Sequence, residues 1–193
     1  MITRLTFIAH AATEAQRRAA FPLDEPILRS NPALTWNPGR AQTILCAPEL
    51  RAQQTAQLLN LQPTVAGELR DCDYAGWSGR NIEEIQGEEP ERVLRWLSDP
   101  AASPHGGESI EAVIERAGKW MDGRRGTGHT IAVTHPAVIR AAMVHALSIP
   151  AQAFWRFDVA PLTVTDLRFH RNGWTVRSSG CALHASKAEE SEL

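Results

Sequence analysis

The chain has 193 residues, of which 43% are hydrophobic and 22% are charged, and its formal net charge is −2. This length supports a single domain with its own core, and the balanced charge excludes the basic surface typical of nucleic-acid-binding proteins. No apolar run reaches the roughly 20 residues of a membrane span, and the N-terminus lacks the order of a signal peptide, so we expect a cytoplasmic protein with no membrane partner.

The cysteines and the basic residues narrow the functional class of the protein further. The three cysteines, Cys46, Cys72 and Cys181, are odd in number and far apart, so they indicate reduced thiols and neither a disulfide framework nor a zinc site. Lys119 and Lys187 are the only lysines, and the other 18 basic residues are arginines. Guanidinium groups could build an anion site, although codon bias also explains the total.

The first half of the chain predicts two strands, each leading into a helix. A Pro-rich segment between them breaks regular structure. In chain order we expect a strand over residues 5–9, a helix-compatible stretch over 13–20, a loop over 21–40, a strand over 43–46 and a helix opened by Pro48 that runs through Leu59.

The second half continues this alternation and then changes to antiparallel strands. We expect, in order, short helices over 81–86 and 91–97, a helix from 106–109 to about Met121, a strand over 129–134, a helix over 136–147, strands over 155–159, 162–170 and 174–177 with Asn172-Gly173 as a hairpin turn, and a disordered tail over 184–193.

Continuous apolar strands that alternate with helices are typical of a parallel sheet covered on both faces. The sequence therefore predicts an α/β three-layer sandwich, with a mostly parallel sheet and an antiparallel edge hairpin at its C-terminal end. Residues 1–183 would form the single domain.

Candidate reactive residues follow the predicted strands, where the carboxyl ends of an α/β sheet form a crevice. His10 follows the first strand, Arg51 lies in the helix after the second, and His135 follows the third. A single histidine at the end of a strand is more often structural. Two histidines that each follow a strand of the same sheet favour a functional role. Arg51 lies in the first turn of its helix, where the dipole disfavours a cation, so a bound anion explains it better than a surface role does.

Two further features leave alternatives open. Asp71 or Glu68 could be a general acid or a solvated carboxylate. The Gly-Gly-Glu-Ser stretch at 106–109 could present amide groups to an anion, and Ser109 could equally be a plain helix cap.

Five segments in order carry a shared pattern. They are 8–13 (Ile-Ala-His-Ala-Ala-Thr), 47–56 (Ala-Pro-Glu-Leu-Arg-Ala-Gln-Gln-Thr-Ala), 69–79 (Leu-Arg-Asp-Cys-Asp-Tyr-Ala-Gly-Trp-Ser-Gly), 106–109 (Gly-Gly-Glu-Ser) and 134–140 (Thr-His-Pro-Ala-Val-Ile-Arg). Together they resemble the histidine phosphatase superfamily, also called the phosphoglycerate mutase-like family, from about Leu5 to Arg177.

The resemblance implies catalytic roles for His10, Asp71 and His135, and it needs no metal or other cofactor. His10 would be the nucleophile and take the phosphoryl group as a phosphohistidine. Arg51 and His135 would bind the phosphate. Asp71 stands where the family has a glutamate proton donor, with Glu108 as the competing acid.

The first motif departs from the family pattern. The arginine before the nucleophile is Ala9, the following glycine is Ala11 and the acid is Ala12. Loss of a comparable charge-stabilising donor costs about a hundredfold to a hundred-thousandfold in rate. Arg17 and Arg18 are the nearest candidates to replace it as a phosphate ligand, and Arg140 lies further away.

These residues support two functional hypotheses. The first is a metal-independent phosphomonoesterase that acts on a small phosphorylated metabolite through phospho-His10. The second is a catalytically impaired relative, which binds a phosphorylated ligand or protein without efficient turnover. A phosphoglycerate mutase fits less well because the chain is short. The sequence names neither the phosphate ester nor the oligomeric state.

Overall fold

Six strands form one sheet in the structure, a computed structural model that describes residues 3–31, 34, 36, 39–171 and 173–183. The order across the sheet is β3-β2-β4-β1-β5-β6. The strands are β1 (Thr3–Ala9), β2 (Thr43–Cys46), β3 (Thr64–Val65), β4 (His129–Thr134), β5 (Thr163–His170) and β6 (Gly173–Ala182).

Strands β1 to β4 run parallel to one another, and β5 is the one described strand of this sheet that runs in the opposite direction, between β1 and β6. β4 pairs in parallel with both β1 and β2, while β5 pairs antiparallel with β1 and with β6. The carboxyl ends of β1, β2 and β4 therefore meet at one edge of the sheet, which is where an α/β fold places its reactive groups.

Helices surround the sheet, and several begin at side-chain caps. Thr13 caps the first helix with a capping box, and the side chains of Asn81 and Ser109 cap two later helices. The helices are α1 (Glu14–Arg17), α2 (Leu50–Leu58), α3 (Ile82–Glu88), α4 (Pro90–Ser98), α5 (Ile110–Asp122) and α6 (Pro136–Leu147), with 3₁₀ turns at Gly67–Leu69, Ala75–Trp77 and Ala151–Arg156.

Burial explains the strand and helix patterns in the sequence. Leu5, Phe7, Ile131 and Val133 of the central strands are fully buried, as expected for parallel strands covered on both faces. A second, aromatic cluster joins α3 and α4 to the loop that precedes them; it consists of Phe21, Trp77, Ile85, Val93 and Trp96.

The structure confirms the predicted α/β class, with a mostly parallel sheet, surrounding helices and an antiparallel C-terminal pair. Strand β4 and helix α6 have the predicted bounds. Among the described residues, no helix is long and apolar enough to cross a bilayer. Asn172 and the tail over 184–193 lie outside the described residues.

Three local predictions are wrong. Residues 155–159 do not form a strand. A 3₁₀ turn at Ala151–Arg156 follows Pro150 and buries Phe154. The aromatic residues of this segment therefore reflect core packing and not the alternation of a strand. The 13–20 stretch is helical only over Glu14–Arg17. Pro48 does not open α2, because Glu49 is extended and the helix begins at Leu50.

Candidate active site

The two candidate histidines meet at the carboxyl edge of the sheet. His10 directly follows β1, and His135 directly follows its parallel neighbour β4. Their ring centroids are 5.2 Å apart, and both rings are buried, with 3% and 0% of the residue exposed. Arg51 joins them from the first turn of α2, which follows β2. The structure therefore brings together the three residues that the strand ends predicted.

Burial keeps the His10 imidazole neutral. Removal from water, helped by the charge of His135, lowers the pKa of His10 to about 3. Its Nδ1 lies 2.8 Å from the carbonyl oxygen of Ala11, so Nδ1 carries the proton and donates it to that carbonyl. Nε2 therefore holds the lone pair, and the ring is neutral across the physiological pH range.

Arg51 is almost completely buried, with 2% of the residue exposed. Its Nη1 donates to the carbonyl oxygen of Leu23 at 2.8 Å, and its Nη2 donates to Oδ2 of Asp71 at 2.7 Å. Its Nε is buried and has no hydrogen-bond partner among the described residues. The Nε donor of this buried guanidinium is therefore unused by the described residues.

Asp71 joins the arginine to the second histidine. Its Oδ2, besides accepting from Arg51, lies 3.4 Å from Nδ1 of His135. Burial by itself would raise the pKa of Asp71, but the charges of His135 and Arg51 outweigh burial and hold that pKa below its ordinary value. Asp71 is therefore a carboxylate at neutral pH when no ligand is bound.

Glu49, which the sequence did not single out, contacts the second ring nitrogen of His135. Oε2 of Glu49 lies 2.8 Å from Nε2 of His135. Oε1 of the same carboxylate accepts from the backbone N–H of Asp71 at 2.9 Å. The sequence held one signal for this residue: Glu49 stands at the N-cap position of α2, where Ser, Thr, Asp or Asn is usual. Its side chain caps no amide of that helix.

A cavity of about 140 Å³ opens beside His10. Asp71 and Arg140 of α6 are among the residues that line it. Tyr74 is half-buried beside it, and removal of its hydroxyl from water raises its pKa, so the hydroxyl stays protonated. The remaining lining residues are Thr13, Ala15, Gln16, Ala20, Pro22, Pro136 and Ala137.

The structure does not bring Arg17 to this cavity. Arg17 bonds Glu14 through two nitrogens, at 2.9 and 2.6 Å, and 69% of its side chain is exposed. Arg18 is also exposed. Arg140, in contrast, lines the cavity; its Nε donates to the carbonyl of Phe157 at 2.9 Å, and its guanidinium carbon lies 5.8 Å from the centroid of the Phe154 ring. Of the three arginines considered for the role missing at Ala9, Arg140 has the suitable position.

The competing carboxylates lie elsewhere. Glu108 forms a two-point ion pair with Arg116, with Nε–Oε1 and Nη2–Oε2 distances of 2.8 and 2.7 Å. Arg116 also donates to the carbonyls of Glu68, Arg70 and Asp71. The pair therefore braces the segment that carries Asp71, and Arg116 is a second residue that no sequence motif identified. Glu68 is exposed.

The Gly-Gly-Glu-Ser stretch has a structural explanation. Ser109 caps α5 through the N–H of Ala112. Gly106 has a φ of +86°, which other residues rarely adopt, and a Cβ on Gly107 would lie 2.0 Å from the carbonyl oxygen of Asp73. Among the residues that the structure describes, no group of three or more His, Cys, Asp or Glu is placed to hold a metal ion.

Comparison with known proteins identifies the family. The model of the histidine phosphatase superfamily (branch 1) matches residues 34–182, a range that begins after the degenerate first motif. A bifunctional protein of Mycobacterium tuberculosis is 27% identical over 89% of this chain and 51% of its own length. Phosphoserine phosphatase 1 of Hydrogenobacter thermophilus is 28% identical over 64% of this chain and 61% of its own. The chain thus spans about half to three fifths of these curated relatives.

Solved structures share the fold at lower identity. A mutant phosphoserine phosphatase from Entamoeba histolytica in complex with phosphoserine has a TM-score of 0.78 at 17% identity, over 92% of this chain and 96% of that one. A mycobacterial glucosyl-3-phosphoglycerate phosphatase has a TM-score of 0.78 at 18% identity, over 94% of this chain and 100% of that one. With the family model matching most of the sequence, the chain belongs to the histidine phosphatase superfamily, branch 1.

Proposed function

We propose that the chain is a phosphomonoesterase that acts through a phosphohistidine at His10 and needs no metal ion. One observation carries the proposal: Oδ2 of Asp71 lies between Nη2 of Arg51 and Nδ1 of His135, at 2.7 and 3.4 Å. An anionic oxygen is therefore stabilised between a guanidinium and an imidazole, beside a neutral nucleophile. A phosphoryl oxygen has the charge and the acceptor geometry to take the same position.

The buried donors support phosphate binding. Nε of Arg51 and Nδ1 of His135 are both buried without a hydrogen-bond partner among the described residues. A buried donor without an acceptor is costly, and an anion with several acceptor oxygens would satisfy both. Arg140 at the cavity wall would supply the second guanidinium, in place of the arginine that Ala9 lacks.

The reaction follows from the protonation states. Nε2 of His10 attacks phosphorus, the bond from phosphorus to the ester oxygen breaks, and the leaving oxygen takes a proton from the Asp71 carboxyl group. Arg51 and His135 stabilise charge on the equatorial oxygens. Water then attacks the phosphohistidine, its proton passes to Asp71, and His10 and inorganic phosphate are released.

Binding and proton transfer are coupled at Asp71. When phosphate binds Arg51, the Arg51–Asp71 ion pair breaks. The Asp71 carboxyl group then loses the cation that held it ionised and gains an anion as its neighbour. Both changes favour the protonated carboxyl group. The substrate therefore brings Asp71 into the form that the first chemical step requires.

The cavity and the relatives support a small substrate. A volume of about 140 Å³ holds a phosphate group and a few further atoms. Related proteins are named for phosphoserine and for α-ribazole phosphate. We therefore propose a small phosphorylated metabolite, with the part beyond the ester oxygen directed along Tyr74 and Pro22.

Hydrolysis of an aryl phosphate tests the proposal. The wild type, with a metal chelator present, should release phosphate, and His10→Ala should not. His170→Ala is the matched control, because His170 is exposed at the end of β5. Equal rates for the wild type and His10→Ala would reject the proposed mechanism, and loss of activity with chelator would reject metal independence.

A second candidate function is phosphate-ligand binding without efficient turnover. Ala9 favours it, because the family arginine beside the nucleophile is absent, and so does the existing pairing of Arg51 with Leu23 and Asp71. Inorganic phosphate binding measured by calorimetry on the wild type separates the two. Binding without turnover of any phosphomonoester would favour this second function.

A further inference from the structure

Glu49 occupies a position that connects two parts of the site. It lies between β2 and α2, and its carboxylate contacts Nε2 of His135 with one oxygen and the backbone N–H of Asp71 with the other. These two contacts come from chain segments 64 residues apart, 71 and 135. A carboxylate can serve both donors at once, with one oxygen for each.

The contact with Glu49 determines which nitrogens of His135 carry protons. Because Oε2 of Glu49 is an acceptor, Nε2 must be protonated. Nδ1 faces Oδ2 of Asp71 at 3.4 Å, and a lone pair on Nδ1 would be repelled by that carboxylate. With a carboxylate oxygen beside each nitrogen, the doubly protonated imidazolium is the form that both neighbours favour.

The charge state of Glu49 is consistent with an imidazolium at His135. Burial by itself would raise the pKa of Glu49, but the hydrogen bond and the charge of His135 hold it below its ordinary value. Glu49 therefore remains a carboxylate at neutral pH. A carboxylate next to a phosphate site repels the ligand, so its presence needs a compensating role, and it does not cap its own helix.

We propose that Glu49 is a positioning residue that holds His135 as an imidazolium with Nδ1 directed at the phosphoryl group. The inference rests on the proposed function. Glu49 acts through His135 and does not touch the substrate. It also fixes the backbone of Asp71, so one carboxylate aligns the phosphate-binding imidazole with the proton donor. His135 then offers a charged donor to the phosphoryl group.

Glu49→Gln is the informative variant because glutamine keeps the shape of the glutamate side chain but has one acceptor oxygen in place of two. If that oxygen accepts from Asp71, the amide NH₂ must donate to Nε2, which then holds a lone pair and makes His135 neutral. We expect kcat/KM to fall about tenfold to a hundredfold. Glu84→Gln is the matched control, since Glu84 is exposed on α3.

The direct test observes His135 without substrate. In the full chain labelled with ¹⁵N-histidine, the ring nitrogens of His135 should both show protonated shifts at pH 7 in the wild type and in Glu84→Gln. In Glu49→Gln, one should move to the unprotonated position. Unchanged His135 shifts in Glu49→Gln would overturn the inference, and this holds even if the wild type proves to have no phosphatase activity.

A double-mutant cycle separates positioning from general support of the fold. If Glu49 acts through His135, Glu49→Gln should cost little further activity in a His135→Ala background. Additive losses would overturn the inference. If His135→Ala is too unstable or inactive to measure, affinity for inorganic phosphate replaces activity: a loss in Glu49→Gln but not in Glu84→Gln supports the inference, and equal affinities overturn it.

Discussion

Arg51 and Asp71 form a buried ion pair, with Nη2 of the arginine 2.7 Å from Oδ2 of the aspartate and 2% and 11% of the two side chains exposed. The family pattern has a glutamate at position 71, and the shorter aspartate still reaches the guanidinium. In the proposed mechanism, the phosphate-binding cation and the proton donor are therefore bound to each other before substrate arrives, and phosphate must displace Asp71 from Arg51.

Removal of the carboxyl group at Asp71 should affect substrates unequally. In Asp71→Asn, hydrolysis of an alkyl phosphate should slow by about a hundredfold to ten-thousandfold, because its leaving oxygen needs a proton. An aryl phosphate has a better leaving group and should lose less in the phosphorylation step. Steady-state and single-turnover rates on both substrates check this, with exposed Asp158→Asn as the control. Equal losses in single-turnover rates would contradict the role.

Arg140 and Arg17 can be compared directly as the second phosphate ligand. Arg140→Met should weaken inorganic phosphate binding about tenfold or more, because Arg140 lines the cavity and the variant removes its charge. Arg17→Met removes only an exposed pair with Glu14 and should leave the affinity near the wild-type value. Calorimetric titration of each variant measures both. The reverse order of losses would assign the role to Arg17.

Acid should destabilise the fold through His10. Its pKa is 6.5 in an ordinary environment and about 3 in the folded protein, so between these values the unfolded chain binds a proton that the folded chain does not. The His10 contribution to stability is complete above pH 6.5 and is lost as the pH falls towards 3, at about 1.4 kcal/mol per pH unit.

Urea unfolding at several pH values measures this contribution. The stability of the wild type relative to His10→Gln should decrease as the pH is lowered from 6.5, since His105 and His129, whose pKa values burial also lowers, are present in both proteins. A stability difference that does not depend on pH would show that His10 is not held neutral by the fold.

Gly107→Ala should destabilise the protein by more than a typical surface substitution. The added Cβ would lie 2.0 Å from the carbonyl oxygen of Asp73, so the segment next to Asp71 must move. Gly87→Ala is the control, because a Cβ there meets nothing within 4 Å and α3 should gain about 0.5–1 kcal/mol. Thermal melting of both variants gives the comparison, and equal melting temperatures would contradict this account of the motif.

Sequence periodicity predicted the elements that contain the core. β4 and α6 could be bounded from sequence because each is an apolar run with a clear boundary, His129 to Thr134 and Pro136 to Leu147. The two-residue β3 was missed because so short a strand has no period. Residues 155–159 were misassigned because buried aromatic side chains occur in turns as well as strands.

The candidate site was partly predictable for a related reason. His10, Arg51 and His135 follow strands that the sequence indicates, so their convergence could be inferred from topology. Glu49 and Arg116 act through long-range contacts, with His135 and with Glu108 and the Asp71 segment. No local pattern shows these contacts, and only the folded chain shows which side chains the two residues meet.

The most direct test of the central claim is detection of the phosphorylated enzyme. Asp71→Asn, which lacks the base that activates water, should accumulate the intermediate when mixed with an aryl phosphate and quenched in alkali, where a phosphoramidate survives. Mass spectrometry should then find one phosphoryl group on His10, and none when His10→Ala is added to the same variant. Turnover with no phosphorylated protein, or a phosphoryl group on another residue, would contradict the account.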